Sequence, residues 1–220
     1  CTMIRLVRRV AAWTICWLAV ALVPGVGAGS LVQNADFIAC QHNGPRCEFL
    51  EVFGADLTGS IPSEIGELVG LKHLWMEENR LTGTLPTELG NLVQLITLDI
   101  SLNELTGTVP LELAKLSGLE ELWLEANHLD GPIPPGIFGL TALHTLELYH
   151  NDFSGPIPSH IGLLTAMTVL DLGRNSLTGT MPAELKHLVS LHDLQLSFNY
   201  LTGLVPEEVW SMTTLVRLEL

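Results

Sequence analysis

From Leu71 onward, apolar and polar positions recur every 24 residues without insertion. One apolar column holds Leu71, Leu95, Leu119, Leu143, Met167, Leu191 and Leu215. Three residues on stand Leu74, Leu98, Leu122, Leu146, Leu170, Leu194 and Leu218, and two further Met76, Ile100, Leu124, Leu148, Leu172, Leu196 and Leu220. Apolar residues at alternate positions predict a short strand with one buried face. A single coil cannot bury those leucines by itself. A fixed period in this range therefore predicts a solenoid whose stacked coils share one core. Eight such strands, from the one near Leu50 to the one near Leu218, would span roughly 34 Å at about 4.8 Å per strand.

The polar columns are as regular. Asn79, Asn103, Asn127, Asn151, Asn175 and Asn199 follow each strand. An amide at the turn out of a strand can bond backbone groups that the turn leaves unpaired, and stacking would make a ladder of them; turn asparagines without a ladder are the alternative. Ala55 stands in this column in the first coil. Gly59, Gly83, Gly107, Gly131, Gly155, Gly179 and Gly203 allow tight turns, and a proline column from Pro62 to Pro206 suits a side of the coil with little regular strand.

The first 28 residues break the pattern. Arg5, Arg8 and Arg9 precede an uncharged stretch from Val10 to Ala28, with Pro24 and Gly25 near its end and small residues at Val26–Ala28. That order predicts a cleaved secretory signal over 1–28. A retained membrane anchor competes, because the uncharged run approaches spanning length. Residues 29–49 are then expected to form an N-terminal cap, and 50–220 the solenoid. The chain starts at Cys1 and stops at Leu220 inside a predicted strand, so the solenoid is expected to be truncated at its C-terminal end.

Composition narrows the function. Hydrophobic residues are 47% of the chain and charged residues 15%, which excludes a solvated disordered chain. Beyond the three N-terminal arginines the chain carries 24 acidic against 7 basic side chains, a net −17. Such a surface repels phosphate backbones, so nucleic acid is excluded as a partner. No phosphate loop or nucleophile elbow occurs. His144 and His192 share a column but stand two coils apart, too far to ligate one ion. No catalytic residue, metal or cofactor is expected, and there is no N-x-S/T sequon.

The motifs Leu57-Thr58-Gly59-Ser60-Ile61-Pro62 and Leu81-Thr82-Gly83-Thr84-Leu85-Pro86, set in repeats such as Leu89–Pro110, resemble the plant-specific class of extracellular leucine-rich repeats over about residues 40–220. The resemblance implies an α/β-type solenoid wound as a right-handed superhelix. Its parallel β-sheet would line the concave face, with a second short strand near each Gly-x-x-Pro segment and 3₁₀ or short helical turns outside. The class includes receptor-like kinase and receptor-like protein ectodomains and secreted inhibitors of cell-wall hydrolases, such as polygalacturonase-inhibitor-like proteins. These bind proteins, peptides or glycans, some beside a co-receptor, and their repeats are not enzymes. It also implies a disulfide between Cys40 and Cys47 in an abbreviated cap, the oxidised state natural to an exported chain.

An extracellular or cell-surface binding module is therefore expected. A membrane link would come only through an uncleaved N-terminus or a segment beyond Leu220. The strand positions facing away from the leucine core hold Trp75, Glu77, Asp99, Trp123, Glu125, Glu147, Tyr149 and Asp171. Tryptophan and tyrosine on an outward face point to ligand contact, and carboxylates beside them suit a basic peptide or sugar hydroxyls. Alternatively, the similar segments His73–Asn79 and Glu121–Asn127 reflect repeat duplication alone. Because the sheet is open, its carboxylates are expected to keep ordinary pKa values.

Overall fold

The computed structural model describes residues 29–220; the expected export segment, residues 1–28, lies outside the described residues. Eight short strands form one parallel sheet: Phe49–Glu51, His73–Trp75, Thr97–Asp99, Glu121–Trp123, Thr145–Glu147, Val169–Asp171, Asp193–Gln195 and Arg217–Glu219. Each pairs with the next in sequence. The register puts Leu50, Leu74, Leu98, Leu122, Leu146, Leu170, Leu194 and Leu218 in one row. The 24-residue period is thus the register itself, and the expected leucine solenoid is what forms. Leucines on the inner face of each strand meet those at the start of the coil and those of the outer turns, and nearly all are fully buried.

The opposite side of each coil carries a second, six-stranded parallel sheet, running from Thr58–Gly59 through Arg80–Gly83, Glu104–Thr108, His128–Pro132 and Asp152–Pro156 to Ser176–Thr178. Partners here lie 22 residues apart, as in Thr82 with Glu104 and Ser154 with Ser176. Successive coils therefore slide by two residues along this sheet while stacking straight along the first. The proline column starts the outer turns: Pro62, Pro86, Pro110, Pro134, Pro158 and Pro182 each stand extended immediately before a five-residue 3₁₀ turn. Proline's fixed φ matches that entry, and its missing N–H removes nothing a helix start could have paired.

Each ladder asparagine clamps two coils. Asn127 Oδ1 accepts from the Leu105 N–H at 3.0 Å, while its Nδ2 donates to the carbonyls of Ile100 at 3.0 Å and Leu124 at 3.1 Å. The same triad of bonds recurs at Asn79, Asn103, Asn151, Asn175 and Asn199. The residue that bends backwards is not the asparagine but the one before it. Glu78, Leu102, Ala126, His150, Arg174 and Phe198 all have φ between 49° and 58°, and Gly54, at 59°, holds this place in the first coil. A left-handed non-glycine residue costs roughly 1–2 kcal/mol. The backbone bonds on either side and the asparagine's own bonds offset that cost in a column whose side chains share no common type.

The N-terminal cap is a short turn, Leu31–Gln33, followed by a helix, Ala35–Asn43. Asn34 Oδ1 caps the helix by accepting from the N–H groups of Asp36 and Phe37. A disulfide joins Cys40 to Cys47 and ties the helix to the first strand. Phe37 and Cys40 bury against the first coil. Gly70 lets the cap close in, since a Cβ there would meet the Pro45 carbonyl oxygen. Among the described residues no helix is long and apolar enough to cross a membrane.

Candidate ligand-binding face

On the side of the eight-stranded sheet away from the leucines, the register builds rows of outward residues. The central row runs Glu51, Trp75, Asp99, Trp123, Glu147, Asp171, Gln195, Glu219, one residue per strand. The backbone ladder continues beyond the ends of the first six strands, as in Met76 N–H to the Asp99 carbonyl and Glu78 N–H to the Ser101 carbonyl. A second row of Phe53, Glu77, Ser101, Glu125, Tyr149, Gly173 and Ser197 follows from it. All eight residues singled out from the sequence thus share one face. They do not form one pocket: Trp75 and Asp171 are four strand spacings apart, about 19 Å.

Burial on this face is greater than an open sheet suggests. Trp75, Trp123 and Tyr149 are half-buried, while Glu77, Asp99, Glu125, Glu147 and Asp171 are buried. The expectation of ordinary carboxylate pKa values fails at Asp171. Burial, with the nearby Glu147 and Asp193 charges, pushes it up to about 6, against the opposing hydrogen bond from the Gly173 N–H and the Arg217 charge. Side chains on strands 4.8 Å apart shade one another, and removing water penalises the charged form. Asp193 is raised for the same first cause.

The shift has a consequence for stability. An unfolded aspartate titrates near 3.8 and folded Asp171 near 6, so the folded chain binds the extra proton between those values. Its ionisation opposes folding fully above the folded value, less and less as pH falls toward 3.8, and not at all below that, so this contribution to stability improves as pH falls. Asp171→Asn is expected to stabilise the protein by about 2 kcal/mol at pH 7.5 and by little at pH 4. Urea midpoints at the two pH values check this; an equal gain at both would disprove it.

Two clusters on this face were not singled out from the sequence. At the N-terminal end, Phe49, His73 and Trp75 stack, with ring centroids 4.8 Å and 5.3 Å apart. The His73 ring is held by Thr97 Oγ1 at 2.9 Å, and burial lowers its pKa. All three residues were visible in the strand columns, and their adjacency follows once the register is known. The other cluster lies at the strand exits, where Arg174 sits 4.7 Å from the Phe198 ring centroid and 5.9 Å from that of Tyr149. Arg174 belongs to the left-handed column, where strand alternation has already ended, so no period-two reading finds it. Among the described residues no group of three or more His, Cys, Asp or Glu could hold a metal ion.

Comparison with known proteins agrees with this architecture. The family pattern described as Leucine Rich Repeat matches residues 70–92, 94–116, 118–140, 142–164, 166–188 and 190–212. No curated protein sequence matches the chain. Among solved structures it is similar to a plant peptide hormone receptor, RGFR1, in complex with RGF2, with 36% identity and a TM-score of 0.78 over 88% of this chain and 30% of that one. It is also similar to the Arabidopsis receptor kinase HAESA in complex with the peptide hormone IDA and the co-receptor SERK1, with 35% identity and a TM-score of 0.69 over 72% of this chain and 27% of that one. The likeness is not confined to plants: a Leptospira interrogans leucine-rich-repeat protein shares 37% identity, with a TM-score of 0.63, over 74% of this chain and 40% of that one. The chain spans about 30% of the length of the receptor structures it matches first. Repeats of this kind are a binding scaffold and not an enzyme. With matched repeats over more than half its length, this chain belongs to the leucine-rich repeat family, and within it resembles the ectodomains of plant receptor kinases.

Proposed function

We propose that this protein is an extracellular recognition module that binds a peptide or protein ligand through its acidic, tryptophan-bearing concave sheet. The observation that carries the reading is the 36% identity, over 88% of this chain, to a receptor solved with its peptide hormone. The row from Glu51 to Glu219 supports the choice of face, because five of its eight residues are carboxylates and two are half-buried indoles. Aromatic side chains of this kind dominate binding energy where they can be covered by a partner. The basic and then apolar order of residues 1–28 supports export. A co-receptor beside the ligand is the arrangement named for the HAESA complex, and the same arrangement is open to this protein.

The test is peptide selection by the purified protein from a random library, followed by affinity measurement. Trp123→Ala is expected to weaken the selected peptides about tenfold or more, with the thermal midpoint nearly unchanged. Selected peptides that bind the variant as well as the parent would refute use of this face.

A further inference from the structure

We propose that the strands His73–Trp75, Thr97–Asp99 and Glu121–Trp123, with the residues just after them, form a pocket for the guanidinium group of an arginine on a basic peptide. The inference deepens the proposed function and rests on it. In register, these strands set out nine outward residues as a grid: His73, Trp75, Glu77; Thr97, Asp99, Ser101; Glu121, Trp123, Glu125. The residues of the middle strand, Thr97, Asp99 and Ser101, are small and buried. The flanking strands carry the two indoles, each half-buried. The result is a trough with a low polar floor and aromatic walls two strand spacings apart, about 10 Å. Less the thickness of the rings, that leaves room for a flat group lying against an indole face.

The chemistry selects what the flat group is. Asp99 stands at the centre of the floor, its Oδ1 accepting from Ser101 Oγ at 2.6 Å and from the Ser101 N–H at 3.0 Å, which fixes its orientation between the walls. Glu77, Glu121 and Glu125 occupy three corners. His73 fills the fourth, held in its aromatic stack by Thr97 and disposed by burial to stay neutral. The grid holds four carboxylates and no lysine or arginine. An anionic group is repelled there, and a neutral one gains only the ring faces. A guanidinium is planar, stacks on indole, keeps its charge at every working pH, and offers forked N–H donors that match carboxylates. An ammonium shares the charge but not the plane.

Fluorescence titration tests this. A Trp210→Phe background leaves Trp75 and Trp123 as the tryptophans of the described residues. The probes are acetyl-Gly-Arg-Gly-amide and its citrulline counterpart, which is nearly isosteric and uncharged. The arginine probe is expected to change the emission saturably, to bind about tenfold or more tightly than the citrulline probe, and to weaken as salt is raised. Trp75→Phe and Asp99→Asn are each expected to weaken it severalfold, with thermal midpoints confirming that both variants fold. Citrulline binding as tightly as arginine, or no saturable change with arginine, overturns the guanidinium pocket. So does a neutral oligosaccharide that binds at lower concentration than the arginine probe. Each of these outcomes leaves the library selection standing on its own, so the pocket can fail while peptide recognition does not.

Discussion

Asn127→Ala is expected to destabilise the protein by about 3 kcal/mol. The side chain is buried and serves two coils at once, accepting from the Leu105 N–H and donating to the Ile100 and Leu124 carbonyls. Alanine leaves the Leu105 N–H without a partner inside the protein. An orphaned buried donor costs on the order of 1–3 kcal/mol, and the lost bonds to the carbonyls add to it. The carbonyls fare better, since the Ile100 oxygen still receives Asn103 Nδ2 and the Leu124 oxygen still receives Asn151 Nδ2. Asn127→Asp is the sharper measurement. An aspartate can still accept from Leu105, but it sets a carboxylate against two carbonyl oxygens. It is expected to be at least as damaging as alanine at pH 7. A plain turn position would tolerate the exchange, because either residue makes the local turn bond. Urea unfolding of the three proteins decides: an aspartate variant as stable as the parent would remove the ladder from the account.

Phe153→Ala is expected to cost about 3–5 kcal/mol, the range for a large buried aromatic. Phe153 takes the place that Leu81, Leu105, Leu129, Leu177 and Leu201 hold in other coils, and it is fully buried. Phe153→Leu restores the repeat's usual residue but not the volume, since the neighbours are packed around a ring. That variant is expected to lose about 1–1.5 kcal/mol. If the alanine and leucine variants unfolded at the same denaturant concentration, the packing argument would fail. Coils contact only their neighbours, so either loss is expected to loosen the coils on both sides of the change before the ends of the solenoid.

The architecture was legible because each column obeys one rule in every coil. Leucines at alternate positions imply a strand, and 24 residues of spacing imply that strands stack leucine on leucine. The row holding Trp75, Asp99 and Trp123 followed from the same alternation, since whatever is not inward must face out. What the alternation could not reach was anything set by distance between coils. The two-residue slide of the second sheet is a stacking property that the 24-residue period conceals. So is the close approach at Gly90, where a Cβ would meet the Glu112 backbone at 2.4–2.8 Å, while the equivalent Phe138 is simply buried.

The sequence by itself determined the fold, the number of strands in the main sheet, the face on which carboxylates and tryptophans gather, and the acidity of that face. These depend on periodicity and composition, which are properties of the chain. Tertiary structure alone decided which residue bends backwards at each turn, where Arg174 meets Tyr149 and Phe198, and how far Asp171 is desolvated. The same holds for the burial of Thr97, Asp99 and Ser101 between the strands of Trp75 and Trp123. Each of these depends on what a neighbouring coil places a few ångströms away, and that is a relation between residues 22 to 27 positions apart which no local pattern records.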